Sequence, residues 1–169
     1  MSSESLHIRA MQAQDLDMVR AWRNHDKVRQ HMLTQHEISP EEHAQWFEKI
    51  QHDPQRQVML VHEHQQPLGL VHFSAAQTHG VVDWGFYLTP DAPRGSGSKL
   101  GRMALQFAFK EQGWHKVCGQ VISSNTASCR FHLKMGFTLE GVWREQVFLH
   151  HEWLSLWCYG LLANEWTSA

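Results

Sequence analysis

The chain has 169 residues, of which 42% are hydrophobic and 19% charged, a balance that fits a single folded domain and excludes a disordered chain. Its formal charge of −2 gives no general attraction to nucleic acid or to an anionic membrane, although 14 histidines can add positive charge at mildly acid pH. An anionic ligand therefore requires a local site.

The start, Met1 to His7, has neither the charged nor the apolar region of a secretory leader. Leu6 to Ala10 alternates as a first strand, and Asp15 is placed to cap a helix carrying Leu16, Val19 and Trp22. After a less regular stretch, Ser39-Pro40-Glu41-Glu42 combines an N-cap, a proline at the first helical position and a capping-box glutamate. It opens a second helix through about Gln51, with Ala44, Phe47 and Ile50 on its buried face. Val58 to Val61, Leu68 to Phe73 and Val81 to Leu88 read as an antiparallel meander.

Pro90 and Pro93 end that meander, and Arg94-Gly95-Ser96-Gly97-Ser98-Lys99 leads into a helix marked by Leu100, Met103, Ala104, Phe107 and Ala108. Val117 to Ile122 is the next strand, Asn125 caps a helix ending near Gly136, and two β-rich runs complete the chain. The most apolar late run, Leu154 to Ala163, is far short of the ~20 residues of a membrane helix. Cys118, Cys129 and Cys158 form neither a disulfide framework nor a zinc set. His62-x-His64 and His150-His151 complete no metal motif, so no metal is expected. These features give a single α/β domain over residues 1–169, expected to be cytoplasmic, with reduced thiols.

The chemistry concentrates after Leu88. A loop whose amides converge at a helix N-terminus favours phosphate, because unpaired donors and the positive end of the helix dipole face the anion. Gly95 and Gly97 permit close approach, Arg94 adds a forked cation, and Lys99 offers a second charge or turns away. An ordinary glycine turn is the alternative for this loop alone. Downstream stand Asn125-Thr126-Ala127-Ser128 and His132-Leu133-Lys134-Met135-Gly136-Phe137.

Together these segments resemble the acetyl-CoA-binding core of the GCN5-related N-acetyltransferase superfamily. The resemblance implies a mixed, mostly antiparallel central sheet flanked by helices. It also implies that Leu88 and Thr89 offer backbone groups to pantetheine, that Arg94, Gly95, Ser96, Gly97, Ser98 and Lys99 hold the pyrophosphate, and that the helix of Asn125 and Ser128 flanks the coenzyme. His132 occupies the position of a tyrosine proposed in many members to protonate the departing thiolate. An imidazole could do this, with an ordinary pKa of about 6.5 against about 8.5 for a thiol; the alternative is packing alone. Asp83, His72 and Glu63 are candidate bases for the acceptor amine.

Trp22-Arg23-Asn24, Val28-Arg29, Met32 and Glu42-His43-Ala44-Gln45-Trp46-Phe47 are similar to the branch that acetylates the 4-amino group of a UDP-linked amino-deoxy sugar in pseudaminic acid biosynthesis, a route to glycosylated flagellin and other surface glycans. Arg23 and Arg29 suit phosphates, Asn24 and His43 offer directional hydrogen bonds, and Trp22 and Trp46 offer flat apolar walls. Core packing is the competing role for Trp22 and Phe47. Phe73, Trp84, Phe86 and Tyr87 could line the opposite wall, with Tyr87 hydrogen-bonding a sugar hydroxyl or the amine, although strand alternation sends half of them to the core. Trp143, Trp153 and Trp157 suit either core or homodimer contacts. A protein N-terminal acetyltransferase and a non-catalytic acyl-CoA-binding module are the rival functions.

Overall fold

The computed structural model describes residues 6–168. Strand β1 (Leu6–Ala10) leads through a 3-10 turn at Ala13–Asp15 into α1 (Leu16–Asn24), α2 (Asp26–Arg29) and α3 (Pro40–Gln51). The meander is β2 (Arg56–Glu63), β3 (Gln66–Ala75) and β4 (Val81–Leu88). Helix α4 (Ser96–Gln106) continues into a π-helical turn at Phe107–Glu111, and β5 (Lys116–Ile122), α5 (Thr126–Lys134) and the hairpin β6 (Thr138–Leu149) and β7 (Glu152–Leu162) complete the chain. The strands form one sheet in the order β1-β2-β3-β4-β5-β7-β6, antiparallel except where β4 meets β5. This is the mixed, mostly antiparallel sheet expected from sequence.

Strand alternation divides the core in two. Met59, Val61, Val71, Phe73, Val82 and Trp84 face α4 and α5, joining Leu100, Ala104, Cys129 and Phe137. Leu60 and Leu70 face the other way, onto Val19, Phe47 and Ile50 of α1 and α3. Ser39 caps α3 as its sequence indicates, its Oγ accepting from the Glu42 amide at 3.1 Å. Asp15 departs from expectation: its carboxylate accepts from the Gln12 amide at 2.8 Å and from Arg9 at 2.7 and 2.9 Å, so it braces the entry to α1 without capping it. Ala44 is exposed, leaving the buried stripe of α3 to His43, Phe47 and Ile50.

The feature that positions the site lies in mid-sheet. β4 and β5 pair from Val81 opposite Lys116 as far as Trp84 opposite Gly119. Beyond that point β4 stays with β3 through Leu88, while β5 stays with β7 through Ile122. The two parallel strands therefore fork, and the free flank of Gly85–Leu88 presents backbone donors and acceptors inside the sheet, as an edge strand does.

Candidate active site

The fork opens toward the N-terminus of α4. Gly95 adopts φ +92°, a left-handed conformation that an L side chain rarely takes, and turns the chain into the helix. The Ser96 amide is occupied by Pro93 O at 3.1 Å and the Lys99 amide reaches Gly95 O at 3.4 Å. Gly97 and Ser98 sit between them in the first turn, where amides have no partner further back in the helix. A Cβ at Gly97 would lie 3.8 Å from Leu88 Cδ1, so its hydrogen leaves room above the strand end. Arg94 is exposed beside the turn.

Lys99 turns away from the loop to an ion pair with Glu63, which accounts for a lysine at this position and engages Glu63 as well. A second cation arrives instead from α5, where Lys134 Nζ donates to Ser98 Oγ at 2.9 Å. Asn125 caps α5, its Oδ1 accepting from the Ser128 amide at 3.2 Å. The Thr89 amide is likewise engaged, by Leu68 O at 2.9 Å, so at the strand end Leu88 and the Thr89 carbonyl remain for a ligand.

His132, for which the sequence left acid catalysis or packing open, is packed in the core. It is 2% exposed and lies at the closed end of the fork, stacked on Tyr159 and edge-on to Trp84, Phe131 and Phe137. Nδ1 lies 2.8 Å from Ser128 O, and because a carbonyl can only accept, Nδ1 carries the proton. Nε2 accepts from the Trp84 indole N–H at 3.0 Å. Both nitrogens are thus committed in a neutral ring, and burial pushes its pKa below the ordinary histidine range, opposed in part by the Ser128 bond. With its one proton held on Ser128 O and Nε2 occupied by the Trp84 indole, His132 ties α5 to the apex of the fork.

Of Phe73, Trp84, Phe86 and Tyr87, only Tyr87 faces α1 and α3. Phe73, 1% exposed, packs on Phe107 and Trp114 in the opposite core, away from α1 and α3, while Trp84 and Phe86 pack toward α5. Desolvation pushes the Tyr87 phenol well above its usual range, with Arg23 opposing, so it can only be a neutral hydrogen-bonding group. Arg23 donates from Nη2 to Thr34 O at 3.0 Å, while its buried Nη1 has no partner among the described residues. Arg20 Nε and His43 Nε2 are buried and unpartnered in the same way. His43 stacks on Trp46 with centroids 5.0 Å apart, and desolvation, then Arg20, lowers its pKa. Trp22 is half-buried against the α1/α3 core.

Two predicted acceptor residues have other work. Asn24 donates to Ile38 O at 2.9 Å and accepts from the Ile38 amide at 2.7 Å, pinning the segment before α3 to α1. Arg29 pairs with Asp26 at 2.9 Å within α2. That short helix is itself tied to the loop after β4, since Lys27 Nζ donates to Pro90 O at 3.2 Å.

Asp83 lies opposite Cys118, one position short of the fork, in a groove shared with Gln120, Glu140, Trp143 and Cys158. Desolvation raises its carboxyl above the ordinary range. A larger concavity, bordered by Gln57, Thr78 and Trp114, lies at the Val81 end of β4, away from the fork. Among the described residues no cluster of three or more His, Cys, Asp or Glu side chains could hold a metal, and no helix is long and apolar enough to cross a membrane. Sequence reasoning missed Lys134 as a cation of the loop, although it stands in the quoted Lys-x-Gly-Phe segment. It also missed the Trp84–His132 pair, for which no local signal exists.

Comparison with known proteins matches residues 5–138 to the family model described as acetyltransferase (GNAT) domain. Acetyltransferase PseH of Campylobacter jejuni is 25% identical over 129 residues, covering 76% of this chain and 80% of that protein. The SPbeta prophage-derived uncharacterized N-acetyltransferase YokL of Bacillus subtilis is 27% identical, over 97% of this chain and 93% of its own. Among solved structures, spermidine N-acetyltransferase from Vibrio cholerae in complex with CoA and spermine aligns with a TM-score of 0.88 at 21% identity, covering 96% and 98% of the two chains. That last likeness is one of fold.

Proposed function

We propose, from the premise that this chain belongs to the GNAT acetyltransferase family and is an acetyl-CoA-dependent N-acetyltransferase, that it acetylates the 4-amino group of a UDP-linked 4-amino-4,6-dideoxy sugar. The product would be a diacetamido sugar nucleotide on the route to pseudaminic acid and to glycosylated flagellin or other surface glycans. In this reading the pyrophosphate of the coenzyme rests on the first turn of α4, between Arg94 and Lys134, and pantetheine lies along the free flank of Gly85–Leu88. The acceptor enters from the α1/α3 side.

The observation that carries the acceptor assignment is Arg23: a half-buried guanidinium whose Nη1 is buried and unpartnered among the described residues, close to Tyr87, is suited to an anionic ligand. Desolvation lowers the Arg23 pKa, with Tyr87 opposing. The Trp22-Arg23 to Trp46-Phe47 pattern and the similarity to PseH support the same reading. Tyr87 then hydrogen-bonds the sugar, Trp46 and His43 form a flat wall, and Asp83 draws the acceptor's ammonium group into the groove.

Arg23→Ala tests this assignment. Loss of one charge-assisted bond should raise KM for the sugar nucleotide roughly 10–100-fold while KM for acetyl-CoA stays put. Equal changes in both constants would show a general loss of structure and remove Arg23 from the acceptor site.

A further inference from the structure

Gly85 is the first residue of β4 beyond its last pairing with β5, and it lies directly opposite His72 of β3. A Cβ at Gly85 would collide with the His72 ring tip: Nε2 first, then Cε1 at 2.6 Å. The missing side chain is therefore a seat, and it places an imidazole on the strand where the fork begins. The side is also the right one. His72 shares its sheet face with Tyr87 and Asp83, the face turned toward α1 and α3, and it is exposed there.

We propose that His72 is the catalytic base that receives the proton of the attacking amine. This assignment rests on the reading of the fork as the thioester site. The ammonium first gives one proton to solvent; the neutral amine nitrogen then forms its bond to the thioester carbonyl carbon, and the carbon–sulfur bond breaks with its electron pair remaining on sulfur. The proton shed by nitrogen goes to His72 Nε2, directly or through one water. The thiolate leaves as an anion and takes a proton from solvent, since His132 is buried with both ring nitrogens engaged.

The groups that face His72 from its own and adjoining strands fit that role. Arg56 and Val58 stand on β2, Leu70 and Ser74 on β3, and Asp83 and Tyr87 on β4. Although one side of the ring meets solvent, the surrounding sheet desolvates it, and this effect, followed by repulsion from Arg56, lowers its pKa. It is neutral at pH 7 and able to accept a proton. Asp83 is the rival base, but it sits on the closed side of the last strand pair. Glu63 is engaged by Lys99.

The test compares wild type, His72→Ala, His72→Gln and Gly85→Ala, with acetyl-CoA affinity measured on each so that misfolding is read separately. The nucleophile is whichever amine the wild type accepts, or water in acetyl-CoA hydrolysis. Failure of the sugar nucleotide as substrate thus leaves the test of His72 intact. His72→Ala and His72→Gln should lower kcat about 10²–10³-fold at unchanged coenzyme affinity. They should also abolish the acid limb, which in wild type lies below pH about 6.5. Free imidazole should restore turnover to His72→Ala. Gly85→Ala, which keeps the ring but unseats it, should lower kcat in the same direction. A wild-type acid limb in His72→Ala, or a loss that imidazole does not relieve at unchanged coenzyme affinity, would overturn the assignment.

Discussion

His132 sits where many relatives are held to use a tyrosine acid, yet its surroundings decide its chemistry. A carbonyl acceptor on Nδ1 and an indole donor on Nε2 define one neutral tautomer, and protonating Nε2 would turn the Trp84 N–H against a cation. Its departure from the tyrosine pattern was legible in the sequence, but its partner was not, since Trp84 is 48 residues away and reaches it only through the packing of α5 on the sheet. The same logic covers His43 and His62, buried rings whose pKa values desolvation lowers. In the unfolded chain these three histidines bind protons near pH 6.5; folded, they bind them only at lower pH. Their contribution is fully present above pH about 6.5 and is lost as pH falls through the window below it. Melting temperature should decline between pH 7 and pH 5; a flat profile would contradict the neutral, buried state of these rings.

At the scale of elements, the donor site depends on how closely α4 approaches α5. Gly101 makes that approach possible, because a Cβ there would lie 2.6 Å from Phe131 Cζ and 3.0 Å from Met135 Sδ. Lys134, reaching Ser98 from α5, depends on the same contact. Gly101→Val should cost about 1–3 kcal/mol of stability by overpacking and should weaken acetyl-CoA binding along with it. Denaturant unfolding checks the first effect and coenzyme titration the second; wild-type values for both would show that the helices do not need this approach. Most elements were readable locally, because Ser39 and Asn125 are caps and the apolar spacing of α4 is unambiguous. The short α2 and the π-helical turn were not, since four or five residues carry too little periodicity and both are set by what they pack against. Asn24's bonds to Ile38 were not readable for a related reason: a polar side chain gives the same signal whether it binds a ligand or pins a neighbouring segment.

For the whole molecule, the order of elements followed from the sequence, while the property that makes the sheet a site did not. The parting of β4 and β5 after Trp84 and Gly119 is a non-local fact about two strands joined by a loop and a helix, and neither strand marks it except through Gly85. In the proposed reading, the fork divides the molecule into a donor side bearing α4 and α5 and an acceptor side bearing α1 and α3. The α1/α3 side carries both the half-buried Arg20 and Arg23 and a carboxylate groove at Asp83, so the charge of the acceptor decides between them. Release of free thiol from acetyl-CoA should therefore be followed with a UDP-4-amino-4,6-dideoxy sugar, with spermidine and with a peptide amine under identical conditions. The account predicts sugar-nucleotide-dependent release at least tenfold above either other amine, the effect of roughly one charge-assisted bond. Faster release with spermidine or the peptide would contradict it.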